Sequence, residues 1–318
     1  MEVLVTGGAG FIGSHLCERL VAEGHAVTAV DDLSTGSRDN LAAIDGHPRF
    51  RLVEGSVLDA PLVTRLAAGA GMIVHLAAAV GVGLIMREPA RSILTNVAGT
   101  ETVLRAAIPN RVRTFIASSS EVYGKATKFP FHEDDDLTIG PTRNLRWSYA
   151  CAKALDEFLA LGHARDAGLP VTVLRFFNTT GPRQSGRYGM VLPSFVAAAL
   201  AGRPLQVHGS GAQTRCFAHV SDVVEAVWRL MAAPGTAGEV FNIGTDAEIS
   251  IRALAEAVIA ATGSASTIET LPYGDVHPAG FEDMDRRLPD LAKLQAATGF
   301  RPCRPLAEII ADTVAQMR

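Results

Sequence analysis

The sequence predicts an α/β fold in which a doubly wound parallel sheet carries a smaller mixed α/β lobe. Short apolar runs alternate with helix-length amphipathic stretches through the first half of the chain. The first run, Val3-Leu-Val5, passes at Thr6 into glycines at 7, 8, 10 and 13, followed by a helical stretch from Ser14 to Glu23. Past residue 176 the alternation gives way to irregular, Gly/Pro/Arg-rich sequence, which marks the second lobe.

Each element follows from its local pattern. Val3–Val5 is continuously apolar, as a strand buried on both faces must be. The glycines after it have the G-x-x-G-x-x-G spacing of a dinucleotide-binding turn. Gly7 permits the tight turn, Gly10 lets backbone approach a pyrophosphate, and Gly13 lets the helix pack close to the sheet. The helix N-terminus then offers unpaired N–H groups to phosphate. Ala26–Val30 is the second strand and ends in Asp31-Asp32, about 20 residues past the motif. A carboxylate there accepts hydrogen bonds from the adenine ribose and repels a 2′-phosphate, so NAD is expected over NADP. Asp31 is the expected ribose ligand, with Asp32 and Ser34 nearby. The lobe is therefore of the Rossmann type.

Further strands are expected at Phe50–Val53, Met72–Leu76, Thr114–Ala117 and Val171–Arg175, with helices at 60–68, 89–108 and 148–167. Helix 89–108 sets Ile93, Leu94, Val97, Val103 and Leu104 at helical spacing, which predicts packing on the sheet. Beyond a polar stretch at 178–189 come a helix at 190–201, a strand at 205–208, a helix at 221–231 and a sheet strand at 239–243. Residues 250–318 should supply two or three helices and a loop rich in Asp, Glu, Arg and Pro. The expected division is an NAD-binding lobe, 1–175 with a returning segment 219–245, and a substrate lobe, 176–218 with 246–318.

Composition narrows the function classes. The 318 residues suffice for a large core, and 48% apolar with 19% charged residues describes a soluble globular protein. A net charge of −4 without a long basic run argues against nucleic acid as a partner. Cys17, Cys151, Cys216 and Cys303 lack metal-like spacing and read as reduced thiols, so no metal is expected. No stretch reaches the roughly 20 apolar residues of a membrane span, and Met1 directly precedes a core strand, leaving no room for a signal peptide. A cytoplasmic protein is expected.

Three pieces point to redox chemistry. Ser118-Ser-Ser-Glu-Val-Tyr-Gly124 follows a strand, at the carboxyl edge where ligands bind in open α/β sheets. Tyr149 and Lys153 lie one turn apart on a helix, so both share a face. A tyrosine with its ordinary pKa of about 10 is a poor base; bringing it near 7 takes roughly 4 kcal/mol. A lysine ammonium and the positive nicotinamide of NAD at close range in a dry cleft supply that. Ser119 can orient the same substrate hydroxyl.

With these motifs in place, the sequence closely resembles the extended short-chain dehydrogenase/reductase family, specifically its nucleotide-sugar epimerases, dehydratases and decarboxylases. The resemblance covers essentially the whole chain. It rests on Thr6–Gly13, Asp31–Gly36, His75–Ala78, Asn96, Ser118–Gly124, Tyr149/Lys153, Arg175–Asn178, Gly181–Arg183 and Thr214–Asp222. It implies a cofactor pocket of Gly7, Gly10, Phe11, Ile12, Gly13, Asp31, Asp32, Ser34, Thr35, Gly36, Ser56, Val57, Leu76, Ala77, Ala78, Asn96, Ser118, Tyr149, Lys153 and Phe176. It implies catalysis by Tyr149 as base, Lys153 lowering its pKa and holding the nicotinamide ribose, and Ser119, with Glu121 a further candidate. Substrate contacts would come from Ser119, Ser120, Glu121, Tyr149, Asn178, Arg183, Arg187, Val191, Arg215 and Arg287, with Asn178 and Arg215 on the diphosphate. A homodimer through helices 89–108 and 148–167 is also implied.

The shared first step in that family is oxidation of a sugar hydroxyl, usually at carbon 4. A 4,6-dehydratase places Asp-Glu after the strand; here the pair is Ser120-Glu121, so dehydration is not expected. UDP-glucuronate decarboxylases carry Ser-Glu, as here. The run Asn144-Leu-Arg-Trp-Ser-Tyr149-Ala-Cys-Ala-Lys153 is closer to the epimerases. On balance the sequence favours an NAD-dependent 4-epimerase, an isomerase acting on UDP-glucuronate or UDP-glucose, with dTDP-sugars open. UDP-glucuronate decarboxylation is the alternative, and a non-catalytic NAD-binding sensor the third reading. In an epimerase, Arg187 or Arg183 would hold a uronic acid's carboxylate near the ring carbonyl plane and so prevent loss of CO₂. Glu121 is either catalytic or structural, buried against a backbone or arginine partner.

Overall fold

The computed structural model describes residues 1–186, 189–276 and 282–318. Seven parallel strands form the central sheet: β1 (Glu2–Thr6), β2 (Ala26–Asp31), β3 (Phe50–Glu54), β4 (Met72–His75), β5 (Arg113–Ser119), β6 (Val171–Phe176) and β11 (Glu239–Ile243). Their spatial order is β11-β6-β5-β4-β1-β2-β3. The order reverses between β1 and β4, and that switch point is where an open α/β sheet offers a crevice to ligands. The short strands are β7 (Thr179–Thr180), β8 (Leu205–His208), β9 (Thr214–Cys216), β10 (Ala218–His219), β12 (Glu248–Ser250), β13 (Ile268–Leu271) and β14 (Arg286–Arg287).

The helices are α1 (Phe11–Ala22), α2 (Ala60–Ala67), α3 (Val82–Arg87), α4 (Pro89–Ala107), α5 (Ser148–Ala167), α6 (Val191–Leu200), α7 (Val220–Ala232), α8 (Ile251–Thr262), α9 (Tyr273–Val276), α10 (Ala292–Thr298) and α11 (Leu306–Met317). Alternation along β1 builds two cores. Val3 and Val5 pack with Leu16 and Leu20 of α1 and with Val223, Val227 and Leu230 of α7. Leu4 points the other way, to Val103 and Leu104 of α4 and Ala160 of α5. A third core gathers Phe195 and Val196 of α6, Val207 of β8, Leu254 and Val258 of α8, and Ile310 and Val314 of α11.

Two expectations change. Residues 250–318 carry four described helices, not two or three, because α9 adds a single turn. Helix α4 packs on the sheet through Val103 and Leu104, but Ile93 and Leu94 are exposed. Its inward stripe near the cofactor edge is instead Ser92, Asn96, Gly99 and Thr100, small or polar residues that leave room there. All four cysteines are unpaired. No described helix is long and apolar enough to cross a membrane.

Candidate functional site

The glycine turn closes around its own backbone. Gly7 adopts a φ of +71°, and a Cβ there would stand 2.7 Å from the Ala77 nitrogen. A Cβ on Gly13 would stand 2.1 Å from the Gly7 carbonyl oxygen, so only hydrogen fits where α1 meets the turn. Helix α1 has no acidic residue in its first turn and no side-chain cap, leaving its first N–H groups for a phosphate. At the end of β2, Asp31 accepts from the Leu33 and Ala9 N–H groups, both at 2.9 Å. Burial pushes its carboxyl up, and those N–H groups pull it back.

Beside Asp31 lies a cavity of about 470 Å³, lined by Gly7, Asp32, Ser34, Thr35, Ser56, Val57, Ala77 and Ala78. Arg87, Arg91 and Ser92 of the α3–α4 region also line it; sequence reasoning missed them, since they belong to no motif. Gly13, Phe11, Ile12, Leu76, Ser118, Tyr149, Lys153 and Phe176 line a larger adjoining cleft of about 1630 Å³. Two further expected cofactor residues have partners within the protein. Gly36 packs against Ala9, and Asn96 clamps the loop after β4, accepting from the Ala79 N–H at 2.7 Å. The acceptor at Asp31, the bare helix end and the glycine cradle fit a dinucleotide.

The reactive centre stands where β5 ends. Ser119 caps the following 3₁₀ turn (Ser120–Tyr123), its Oγ accepting from the Glu121 N–H at 3.3 Å. Its hydroxyl also hydrogen-bonds the Tyr149 phenol. Lys153 Nζ donates to the Ala117 carbonyl and to Asp156 Oδ2, both at 3.0 Å. Burial pushes the Tyr149 phenol well above its ordinary value, and the charges of Glu121 and Asp156 add to that.

Facing this centre is a buried ionic cluster. Arg146 grips Glu121 bidentately at 2.6 and 2.9 Å, and Arg287 reaches the same carboxylate at 2.8 Å. Asp283 accepts from Arg215 at 2.8 Å and from Arg287 at 3.3 Å. The arginines pull Glu121 down to about 2 despite its burial, so it is a permanent anion and no proton donor at neutral pH. Burial, reinforced by Arg287, lowers Arg215 to about 10, which still leaves it charged. Three cations against two anions leave one net positive charge, and the Nε atoms of Arg146 and Arg287 are buried without a partner. The cluster is prepared for an anionic ligand.

Ser120, Asn178 and Val191 line the same cleft, and Asn178 Nδ2 donates to the Cys216 carbonyl at 3.2 Å. Arg183 does not face the cleft: its guanidinium reaches Ser14 Oγ at 3.2 Å and Glu18 at 2.6 Å, across α1. The left-handed φ of +71° at Arg183 aims the side chain that way. Arg187 lies outside the described residues. Arg146 and Asp283 went unrecognised in the sequence because Glu121 and Arg215, which they pair with most closely, lie far from them in the chain.

The profile of the NAD dependent epimerase/dehydratase family matches residues 3–244. The chain is 44% identical over 300 residues to a UDP-N-acetyl-alpha-D-glucosaminuronate decarboxylase of Bacillus cytotoxicus, covering 94% of this chain and 92% of that one. It is 35% identical to UDP-glucuronic acid decarboxylase 1 of Danio rerio, covering 98% of this chain and 72% of that one. Among solved structures it resembles UDP-glucose 4-epimerase of Thermotoga maritima, with a TM-score of 0.89 and 31% identity over 100% of this chain and 98% of that chain. These relatives correct the expected reaction class. These two curated relatives are decarboxylases, which are lyases, and the isomerase assignment does not stand.

Proposed function

Because the chain belongs to the NAD dependent epimerase/dehydratase family, in its extended short-chain dehydrogenase/reductase form, and uses NAD, we propose that it decarboxylates a UDP-linked hexuronic acid. The observation that carries this reading is Glu121, held as an anion by Arg146 and Arg287 in the cleft that Tyr149 and Ser119 also line. The glycine turn, Asp31 and Lys153 would hold NAD, which would supply reversible hydride exchange with the sugar's carbon 4. Tyr149, hydrogen-bonded to Ser119, accepts the proton of the carbon 4 hydroxyl. The 4-keto uronic acid is a β-keto acid, and its carbon 5–carboxylate bond breaks with the electron pair flowing into the ring carbonyl. The Tyr149 and Ser119 hydroxyls stabilise the resulting enolate oxygen, and a proton from water replaces CO₂ on carbon 5 before the hydride and the hydroxyl proton are restored at carbon 4.

Glu121 acts through its position. Its own charge is met by Arg146 and Arg287, and in that cluster it fixes how the sugar's carboxylate lies against the ring carbonyl, so that the carboxylate turns out of the carbonyl plane and CO₂ can leave. Dehydration would require an acid at Ser120, which is a hydroxyl. Arg215 and Asn178 are assigned to the diphosphate. The relatives support both UDP-glucuronate and its 2-acetamido counterpart as substrates.

The test is incubation with UDP-glucuronate and, separately, UDP-N-acetylglucosaminuronate, following CO₂ and the sugar by NMR. A UDP-pentose or its 2-acetamido form is expected. A hexuronate inverted at carbon 4, with no CO₂, would overturn the reading. A homodimer is part of the same proposal: α4 and α5 present Leu94 and Phe158 outward, 65% and 70% exposed, with Leu155 beside them. Four unpaired cysteines suit the reducing cytoplasm.

A further inference from the structure

Tyr149, Lys153 and Asp156 follow one another along a single face of α5. Asp156 is fully buried, and Lys153 nearly so at 1% exposure. Their only mutual link is the 3.0 Å contact from Nζ to Oδ2; the second carboxylate oxygen, Oδ1, has no hydrogen-bond partner. A buried ammonium without a counter-charge gives up its proton, because desolvation penalises the charged form. Among the described residues, Asp156 is the one carboxylate in contact with Lys153.

The neighbouring charges are committed elsewhere. Glu157, next on the helix, gives both oxygens to Arg175 of β6, at 2.9 and 2.7 Å, and accepts from Ser118 of β5. Glu121 of the 3₁₀ turn is held by Arg146 and Arg287. On the side of β4 and α4, His75 lies between two hydroxyls, Thr6 Oγ1 at 2.7 Å and Thr100 Oγ1 at 3.2 Å. Burial, with the Lys153 charge, lowers His75 to about 3, so it stays neutral and offers Asp156 no competing cation. Thr100 and Lys153 favour the Asp156 anion against its burial.

We propose that Asp156 is a positioning residue for the redox centre: it keeps the Lys153 ammonium charged and fixed under the site of the nicotinamide ribose. The hydroxyl–imidazole chain of Thr6, His75 and Thr100 runs beside the pair to the strand that carries the glycine turn, and its Thr100 end favours the Asp156 anion. Asp156 thereby sets the alkaline limit of activity. Losing its charge lets the buried amine deprotonate within the working range, and the positive charge that favours the Tyr149 phenolate goes with it.

The inference rests on Tyr149 as base and Lys153 as its partner, which Tyr149→Phe tests separately. The experiment measures two quantities from pH 6 to pH 10 in Asp156→Asn: single-turnover reduction of NAD by the UDP-sugar, and NAD affinity by calorimetry without sugar. The expected result is a new alkaline fall in both, about tenfold or more at the upper end, where the parent is flat. Asp156→Glu, which restores the charge, should recover the flat profile. Should Asp156→Asn fail to fold, Asp156→Ser, with space for a water, gives the same readout. Profiles parallel to the parent's in the neutral variant, whatever the loss of thermal stability, would overturn the proposal and leave Asp156 a packing residue. Unimpaired turnover in Tyr149→Phe would instead sink the assignment of the base.

Discussion

Arg287 stands in register with Arg215 on the neighbouring strand, β14 against β9, and the two guanidiniums share Asp283. Two like charges held side by side repel unless an anion lies between them. Asp283 and Glu121 are shared among Arg215, Arg287 and Arg146, so one positive charge is left over, which suits a diphosphate.

Arg215→Lys should therefore weaken UDP-sugar binding about tenfold or more, since a lysine cannot reproduce the planar fork. NAD affinity should stay at the parent's value. Calorimetry with UDP and with NAD separates the two, and equal losses would place Arg215 outside the diphosphate site.

Glu121→Gln leaves Arg146 and Arg287 facing a neutral amide. Removing one partner of a buried ion pair typically costs about 3–5 kcal/mol, so urea unfolding at pH 7 should show a large loss. In the parent, the Glu121 contribution is full above its unfolded value of 4.5 and disappears as pH falls through about 2. The gap between parent and variant should narrow over that acid range. Release of CO₂ should fall more steeply than the initial oxidation of the sugar.

Gly13→Ala places a methyl group against the Gly7 carbonyl oxygen. The helix must back away from the turn, so NAD affinity should drop at least tenfold while the circular dichroism of the sheet and helices persists. Unchanged NAD affinity would show that the turn has more slack than its geometry implies.

His75 is neutral in the fold down to about pH 3, whereas the unfolded chain takes up a proton near pH 6.5. Its contribution is complete above 6.5 and declines as pH falls toward 3, by at most about 1.4 kcal/mol per pH unit. His75→Asn should be less stable than the parent at pH 7.5, with the difference shrinking by pH 5. Denaturant midpoints at the two pH values check this.

Phe158→Glu on the outer face of α5 should shift the protein from dimer to monomer in sedimentation, with little loss of monomer helicity. A parent that already sediments as a monomer at micromolar concentration would dismiss the α4–α5 interface.

What was legible in the sequence was local. The strands around Val3–Val5 and Ala26–Val30, the glycine turn and the Tyr149/Lys153 pair each declare themselves within about a dozen residues, through periodicity or spacing. The ionic cluster did not, because Glu121, Arg146, Arg215, Asp283 and Arg287 come from separate stretches that only the folded chain unites. That distance also explains the error over reaction class. Residues flanking Tyr149, such as Ala150, Ala152 and Ala154, are buried packing positions and say little about chemistry. Glu121, which pointed toward decarboxylation, has its meaning set by arginines that no neighbouring residue announces. Ile93 and Leu94 misled for a related reason: helical spacing identifies an apolar stripe but not which neighbour covers it.

The split origin of that cluster bears on how such proteins can be recombined. A hybrid joined just after Phe176 inherits Glu121 and Arg146 from one parent, and Arg215, Asp283 and Arg287 from the other. The cofactor turn and Tyr149/Lys153 would cross intact, since they lie wholly on one side of the junction. The ionic cluster would not. A chimera that brings in a donor's strands β9 and β14 without matching residues at positions 121 and 146 would bury mismatched charges at its centre. Grafting a new sugar preference onto this scaffold thus calls for exchanging both portions together.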